Sequence, residues 1–142
     1  LVRVAHAGEE GPAAYITQAL DLLDVQRIDH GVRCLESEDV VQRLKESQTV
    51  LTVCPLSNVS LKVVDQLDQH PLPALLEAGL KVTISSDDPA YFGGGLLENH
   101  IACADAFGWG EDTFKWLNRN AMEEAFVSDA RRAELLKRLE AA

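Results

Sequence analysis

Apolar positions along this chain fall into short β-branched runs separated by longer stretches with helical spacing. Residues 2–6, Val-Arg-Val-Ala-His, read as a strand, and Gly8 and Gly11-Pro12 punctuate its end. Across residues 13–23, Ile16, Ala19, Leu20 and Leu23 recur at the i, i+3, i+4, i+7 spacing of one helix face. Residues 26–30 form a second short run closed by Gly31, and Ser37 can cap a helix carrying Val40, Val41 and Leu44. A third strand is expected over 49–54, Thr-Val-Leu-Thr-Val-Cys, ended by Pro55. The pattern then predicts a helix over 72–78 stopped by Gly79, a fourth strand over 80–85, and a helix over 96–107 after Gly93-Gly94-Gly95. Two more helices are expected, at about 111–126 and 128–140.

Four strand-then-helix units without hairpin signals between the strands imply a parallel sheet with helices packed outside it. Periodicity leaves two architectures open: an open doubly wound sheet, and part of a (β/α) barrel, which runs to about 250 residues when complete. The chain has 142 residues, 46% of them hydrophobic, enough for one core. It opens on Leu1 inside an apolar run, which points to a piece of something longer.

Charge and composition narrow the partners. A formal net charge of −10, with no basic run, argues against nucleic acid and membrane surfaces and suits a small neutral or polar ligand. No apolar stretch reaches the roughly 18 residues of a membrane span. Three widely separated cysteines, Cys34, Cys54 and Cys103, suggest a reduced, cytoplasmic protein rather than a disulfide scaffold.

The polar residues with chemistry gather where each strand stops: His6-Ala7-Gly8-Glu9, Asp29-His30-Gly31, Cys54-Pro55-Leu56-Ser57-Asn58, and Ser85-Ser86-Asp87-Asp88-Pro89. Parallel α/β folds build their sites at the carboxyl ends of strands, so these groups converge on one rim. The set is rich in metal ligands and acid–base groups. Taken singly, each has an ordinary structural reading. His6 reads as a core histidine, Glu9 as a charge in a first helical turn, and His30 as a strand cap. Asp87-Asp88-Pro89 reads as a turn opening a helix. Cys54 reads as a buried apolar residue, Ser57 and Asn58 as loop braces, and His70 before Pro71 as a helix-entry residue. Ser86 and His100 receive no role.

In order and spacing these four motifs resemble those of the adenosine/adenine deaminase family, over about residues 4–125. Arg27-Ile28-Asp29-His30-Gly31 and the run from Asp87 to Gly94 are more similar to its adenine deaminase branch. The resemblance implies a (β/α)8 TIM barrel, of which residues 1–142 would be a single partial domain. That domain would be the C-terminal half, about four parallel βα units plus C-terminal helices. It implies zinc-dependent deamination of adenine to hypoxanthine and ammonia, with adenosine as the alternative substrate. His6 and Asp87 would be zinc ligands, and Glu9 the acid that protonates purine N1. His30 would orient and deprotonate the zinc-bound water, and Asp88 would partner purine N7. Zinc suits that chemistry because it lowers the pKa of a bound water to about 7.

One departure stands out. The family carries two further zinc ligands in a His-x-His motif on its first strand, and the four histidines here, His6, His30, His70 and His100, include no such pair. A lone half-barrel that self-associates without catalysis is therefore the reading from another class. In it the inward faces of Val2, Val4, Ile28, Val53 and Ile84, or their alternates, would lose the opposite wall of the core.

Overall fold

The computed structural model describes residues 1–141. Its strands β1 (Val4–Ala7), β2 (Arg27–His30), β3 (Val50–Val53) and β4 (Val82–Ile84) form one sheet in the order β1-β2-β3-β4. Each neighbouring pair is parallel. The helices are α1 (Ala13–Leu23), α2 (Glu38–Ser47), α3 (Pro55–Ser60), α4 (Leu72–Glu77), α5 (Pro89–Phe92), α6 (Leu96–Phe107), α7 (Glu111–Glu123) and α8 (Asp129–Glu140). Chain order thus equals spatial order, as it does in a barrel; a doubly wound sheet reverses strand order at a switch point.

The register separates the two faces of the sheet. Ala5, Ile28, Leu51 and Val82 lie in one row, and Val53 and Ile84 continue that face one step along. These residues share a core with Ile16 of α1, Leu44 of α2, and Leu72 and Leu75 of α4. The opposite face carries the in-register row His6, Asp29, Thr52 and Thr83. Ile28, Val53 and Ile84 therefore do not face a missing wall; they are buried under the helices. It is the alternate, polar set that looks the other way. Val2 and Val4 are exposed, at 51% and 41%, and the strand begins at Val4 rather than Val2 because no neighbouring strand extends that far.

The helices differ from the sequence expectation in instructive places. Pro55 does more than stop β3: it occupies the first turn of α3, where its fixed φ and missing N–H cost nothing. Helix α7 ends at Glu123, three residues earlier than expected, because Arg132 from α8 takes the Glu123 carbonyl and bonds the Ala125 carbonyl at 3.1 Å. Ser37 caps α2 as expected, accepting from the Val40 N–H at 3.4 Å.

The far edge of β4 is not left bare. The Lys81 carbonyl accepts from Leu51 in β3, so the next carbonyl, Val82, points outward, and the Asn120 amide of α7 donates to it at 2.9 Å. Lys81 itself bonds Glu124 and lies 3.3 Å from Glu123. No helix of the described residues is long and apolar enough to cross a membrane. Cys34, Cys54 and Cys103 are all buried free thiols, and burial pushes each thiol up to about 12.

Candidate active site

Each strand exit delivers one component, and backbone geometry aims it. After β1, Gly8 adopts φ +67°, and a Cβ there would lie 2.5 Å from Ile16 Cδ1. Only glycine combines that conformation with that approach, and the turn it makes brings the Glu9 side chain in to 16% exposure. Gly8→Ala is expected to lower unfolding free energy by about 2–4 kcal/mol, the combined scale of left-handed strain and overpacking. Gly110→Ala, where a Cβ meets nothing within 4 Å, should cost less than about 1 kcal/mol. Urea unfolding of the two variants side by side checks this, and equal losses would refute it.

At the end of β2, His30 is itself left-handed, φ +67°, and 1% exposed. A non-glycine residue held there is strained, and such strain gathers at functional sites. Its Nδ1 lies 3.3 Å from Glu9 Oε1 and 3.2 Å from Asn58 Nδ2, and its Nε2 lies 3.8 Å from Asp87 Oδ2. The His6 ring sits beside it, with centroids 5.1 Å apart.

The loop after β4 repeats the device. Asp87 has φ +57°, and its Oδ2 accepts from the Ser57 hydroxyl at 2.7 Å. Asp88 behaves differently: its Oδ1 accepts from the Ala90 and Tyr91 N–H groups at 3.0 and 3.1 Å, capping α5. The structure thus brings together Glu9, His30 and Asp87, with His6 against His30, and leaves Asp88 on the exposed lip as the cap of its own short helix.

Burial raises the Glu9 carboxyl above the ordinary range, and the neighbouring Asp87 charge adds to that. Burial, then the His6 charge, lowers His30. A carboxylic acid inclined to keep its proton, in contact with an imidazole inclined to stay neutral, is the equipment of acid–base catalysis.

Asn58 and His70 are the residues that motif reading undervalued. Asn58 is fully buried and donates to Glu9 Oε1 at 3.3 Å. His70 is 3% exposed; its Nε2 meets Asn58 Oδ1 at 3.1 Å, and its Nδ1 accepts from the Leu72 N–H at 3.0 Å. Ser57 and Asn58 do brace a loop, as read from the sequence, but what they brace is the site. His70 does serve the entry of α4, yet its other nitrogen faces the site. No sequence signal marked this, since the contact spans a loop without periodicity. His100 contacts the Leu96 carbonyl at 2.9 Å and Asn118 Oδ1 at 3.2 Å. It packs near Phe114, outside the group.

Among the described residues, the ligand atoms of His30, Cys54 and Asp87 lie within 4.8 Å of one another. Cys54 held as a thiol is a poor ligand, and its Sγ donates to the Thr52 carbonyl at 3.6 Å. His6 lies outside this trio. Its exposed imidazole and the Asp87 carboxylate flank His30 and are suitable donors for zinc. Two such donors fit part of a metal site, short of the usual three of a catalytic zinc.

The family model described as adenosine deaminase matches residues 1–142, and the chain belongs to that family. Within it, the chain is 54% identical to an adenine deaminase of Hahella chejuensis over 99% of its own length, which is 42% of that protein. The crystal structure of an adenine deaminase from Arthrobacter aurescens superposes with a TM-score of 0.97 at 53% identity, covering 99% of this chain and 43% of that one. An amidohydrolase from Burkholderia ambifaria, solved with bound Zn, gives 0.84 at 29% identity, covering 100% and 43%. The chain thus spans less than half the length of these relatives, and its four parallel units are half of a TIM barrel.

Proposed function

We infer that the protein to which this half-barrel belongs converts adenine and water into hypoxanthine and ammonia. The observation carrying this reading is the buried contact of Glu9 with His30, 3.3 Å apart, next to Asp87. In this reading His6 and Asp87 hold a zinc ion, together with ligands from the part of the barrel beyond this chain. Zinc, when bound, supplies the acidity that makes water a nucleophile at neutral pH.

The chain's own residues account for the remaining requirements. As water attacks C6, negative charge grows on the ring, and N1 must receive a proton. Glu9 is placed to give it because burial keeps its carboxyl protonated longer than an exposed one. His30, whose pKa burial lowers and whose Nδ1 is held by Asn58, orients the attacking oxygen. Asp88, whose Oδ1 is held by the α5 cap, offers its other carboxylate oxygen at the lip for N7. Gly8 and Gly31 let the backbone at two strand exits pack directly on core side chains, Ile16 beneath Gly8 and Leu51 beneath Gly31. The buried thiols fit a cytoplasmic setting.

Adenosine is the second substrate to weigh, since the matching family model is described as adenosine deaminase. Paired initial rates on the full-barrel protein decide between them. Adenine is expected to give the higher kcat/KM, and faster turnover of adenosine would overturn the choice.

A further inference from the structure

The buried polar groups behind the site form an unbroken series: Leu72 N–H, His70, Asn58, then Glu9 and His30. None of its fully buried side-chain nitrogen and oxygen atoms lacks a partner. Its direction can be read step by step. The Leu72 N–H can only donate, so His70 Nδ1 accepts and carries no proton. A neutral imidazole then bears its proton on Nε2, which points at Asn58. Asn58 must present its carbonyl oxygen to that N–H, at 3.1 Å. Its amide nitrogen is thereby turned to Glu9 Oε1 and His30 Nδ1, at 3.3 and 3.2 Å. A proton on His30 Nδ1 would set donor against donor at 3.2 Å, and Glu9 Oε1, 3.3 Å from Nδ1 but not hydrogen-bonded to it, already accepts from the Asn58 amide. Rotating the amide to relieve that clash would set its NH2 against the His70 N–H. Moving the His70 proton to Nδ1, so that Nε2 could accept from a rotated amide, would set that proton against the Leu72 N–H.

We propose that His70 is a positioning residue for the deamination site, acting through Asn58 to fix His30 as the Nε2–H tautomer. His30 Nε2 then faces Asp87 and the open rim as a donor. It holds the attacking oxygen by donating to it and does not act as a base at that atom; the proton that oxygen loses passes to the Asp87 carboxylate, 3.8 Å from Nε2, and leaves with the amine as ammonia. The same amide holds Glu9 Oε1 in place. His70 is suited to the task because burial pushes it down to about 4, so it stays neutral and its donor–acceptor polarity is constant across physiological pH. Outer partners of this kind fix ring orientation and tautomer, and their loss costs about 10–100-fold in activity.

This assignment rests on the deaminase reading, and the experiment separates the two. The probe is the full-barrel protein labelled with 15N-histidine, read by long-range proton–nitrogen correlation at neutral pH. The His30 and His70 signals are assigned by replacing each of the two in turn. His30 and His70 are both expected as Nε2–H tautomers. His70→Leu, which leaves Asn58 free to rotate, should shift His30 toward Nδ1–H. It should lower adenine kcat by about 10–100-fold while KM changes less than about threefold. His70→Gln retains an N–H toward Asn58 and should keep His30 as Nε2–H with most of the activity. An Nδ1–H tautomer for either histidine in the unaltered protein would overturn the proposal, and that reading needs no variant to fold. So would an unchanged His30 tautomer in a folded His70→Leu protein. Absence of adenine turnover in the unaltered protein would instead sink the deaminase reading and leave the tautomer measurement standing.

Discussion

Glu9→Gln in the full-barrel protein is expected to lower adenine turnover by about 10²–10⁴-fold, the usual worth of a general acid. The substitution keeps the size of the side chain and its ability to bond Asn58, so the packing behind it should survive. What it removes is a transferable proton. In the ground state N1 of adenine is neutral and needs no proton; only as water adds to C6 does charge accumulate there. The loss should therefore fall on kcat, with substrate binding changed far less. Burial that lifts the Glu9 carboxyl prepares the acid form for this moment. Steady-state kinetics with adenine, together with the affinity of a non-reacting purine, check the split. A variant turning over near the parental rate removes Glu9 from the mechanism.

An effect at least as large is expected for the 142-residue chain by itself. Supplied with zinc and adenine, it should release no ammonia above a protein-free control and should hold zinc weakly. His6 and Asp87 supply two donors, fewer than a catalytic zinc needs. The outer edge of β1 also stands open, with Val2 and Val4 exposed and His6 at its exposed end. Unpaired strand edges seek partners, so light scattering should show association beyond the monomer. The structure moderates one part of this expectation. The apolar strand residues Ile28, Val53 and Ile84 are buried by helices, and Asn120 satisfies an outward carbonyl of β4. Association should therefore proceed through the β1 edge and the polar inner face, without general unfolding. Catalytic ammonia release that a chelator and His6→Ala both abolish would show that two ligands suffice.

The sequence by itself determined the alternation and the place of the chemistry. Short β-branched runs ending in His6, His30, Cys54 and the Ser85–Asp88 segment could only be strand exits. Parallel order then forced those exits onto one rim. The caps were legible too, Ser37 for α2 and the Asp87-Asp88-Pro89 turn that opens α5, because capping depends on neighbouring residues. Tertiary structure alone decided the rest. Whether Ile28 or Asp29 faced the helices was fixed by register between strands, which no local pattern states. The end of α7 was set by Arg132, which comes from the next helix. The left-handed turns at His30 and Asp87, which aim both side chains inward, go against local preference for non-glycine residues and exist because surrounding contacts hold them. The link from Leu72 and His70 through Asn58 to Glu9 joins two strand exits and the entry of α4, and its meaning lies in donor and acceptor direction. Direction appears only when the partners are in contact, because an asparagine or a neutral histidine has no polarity of its own until a neighbour fixes one.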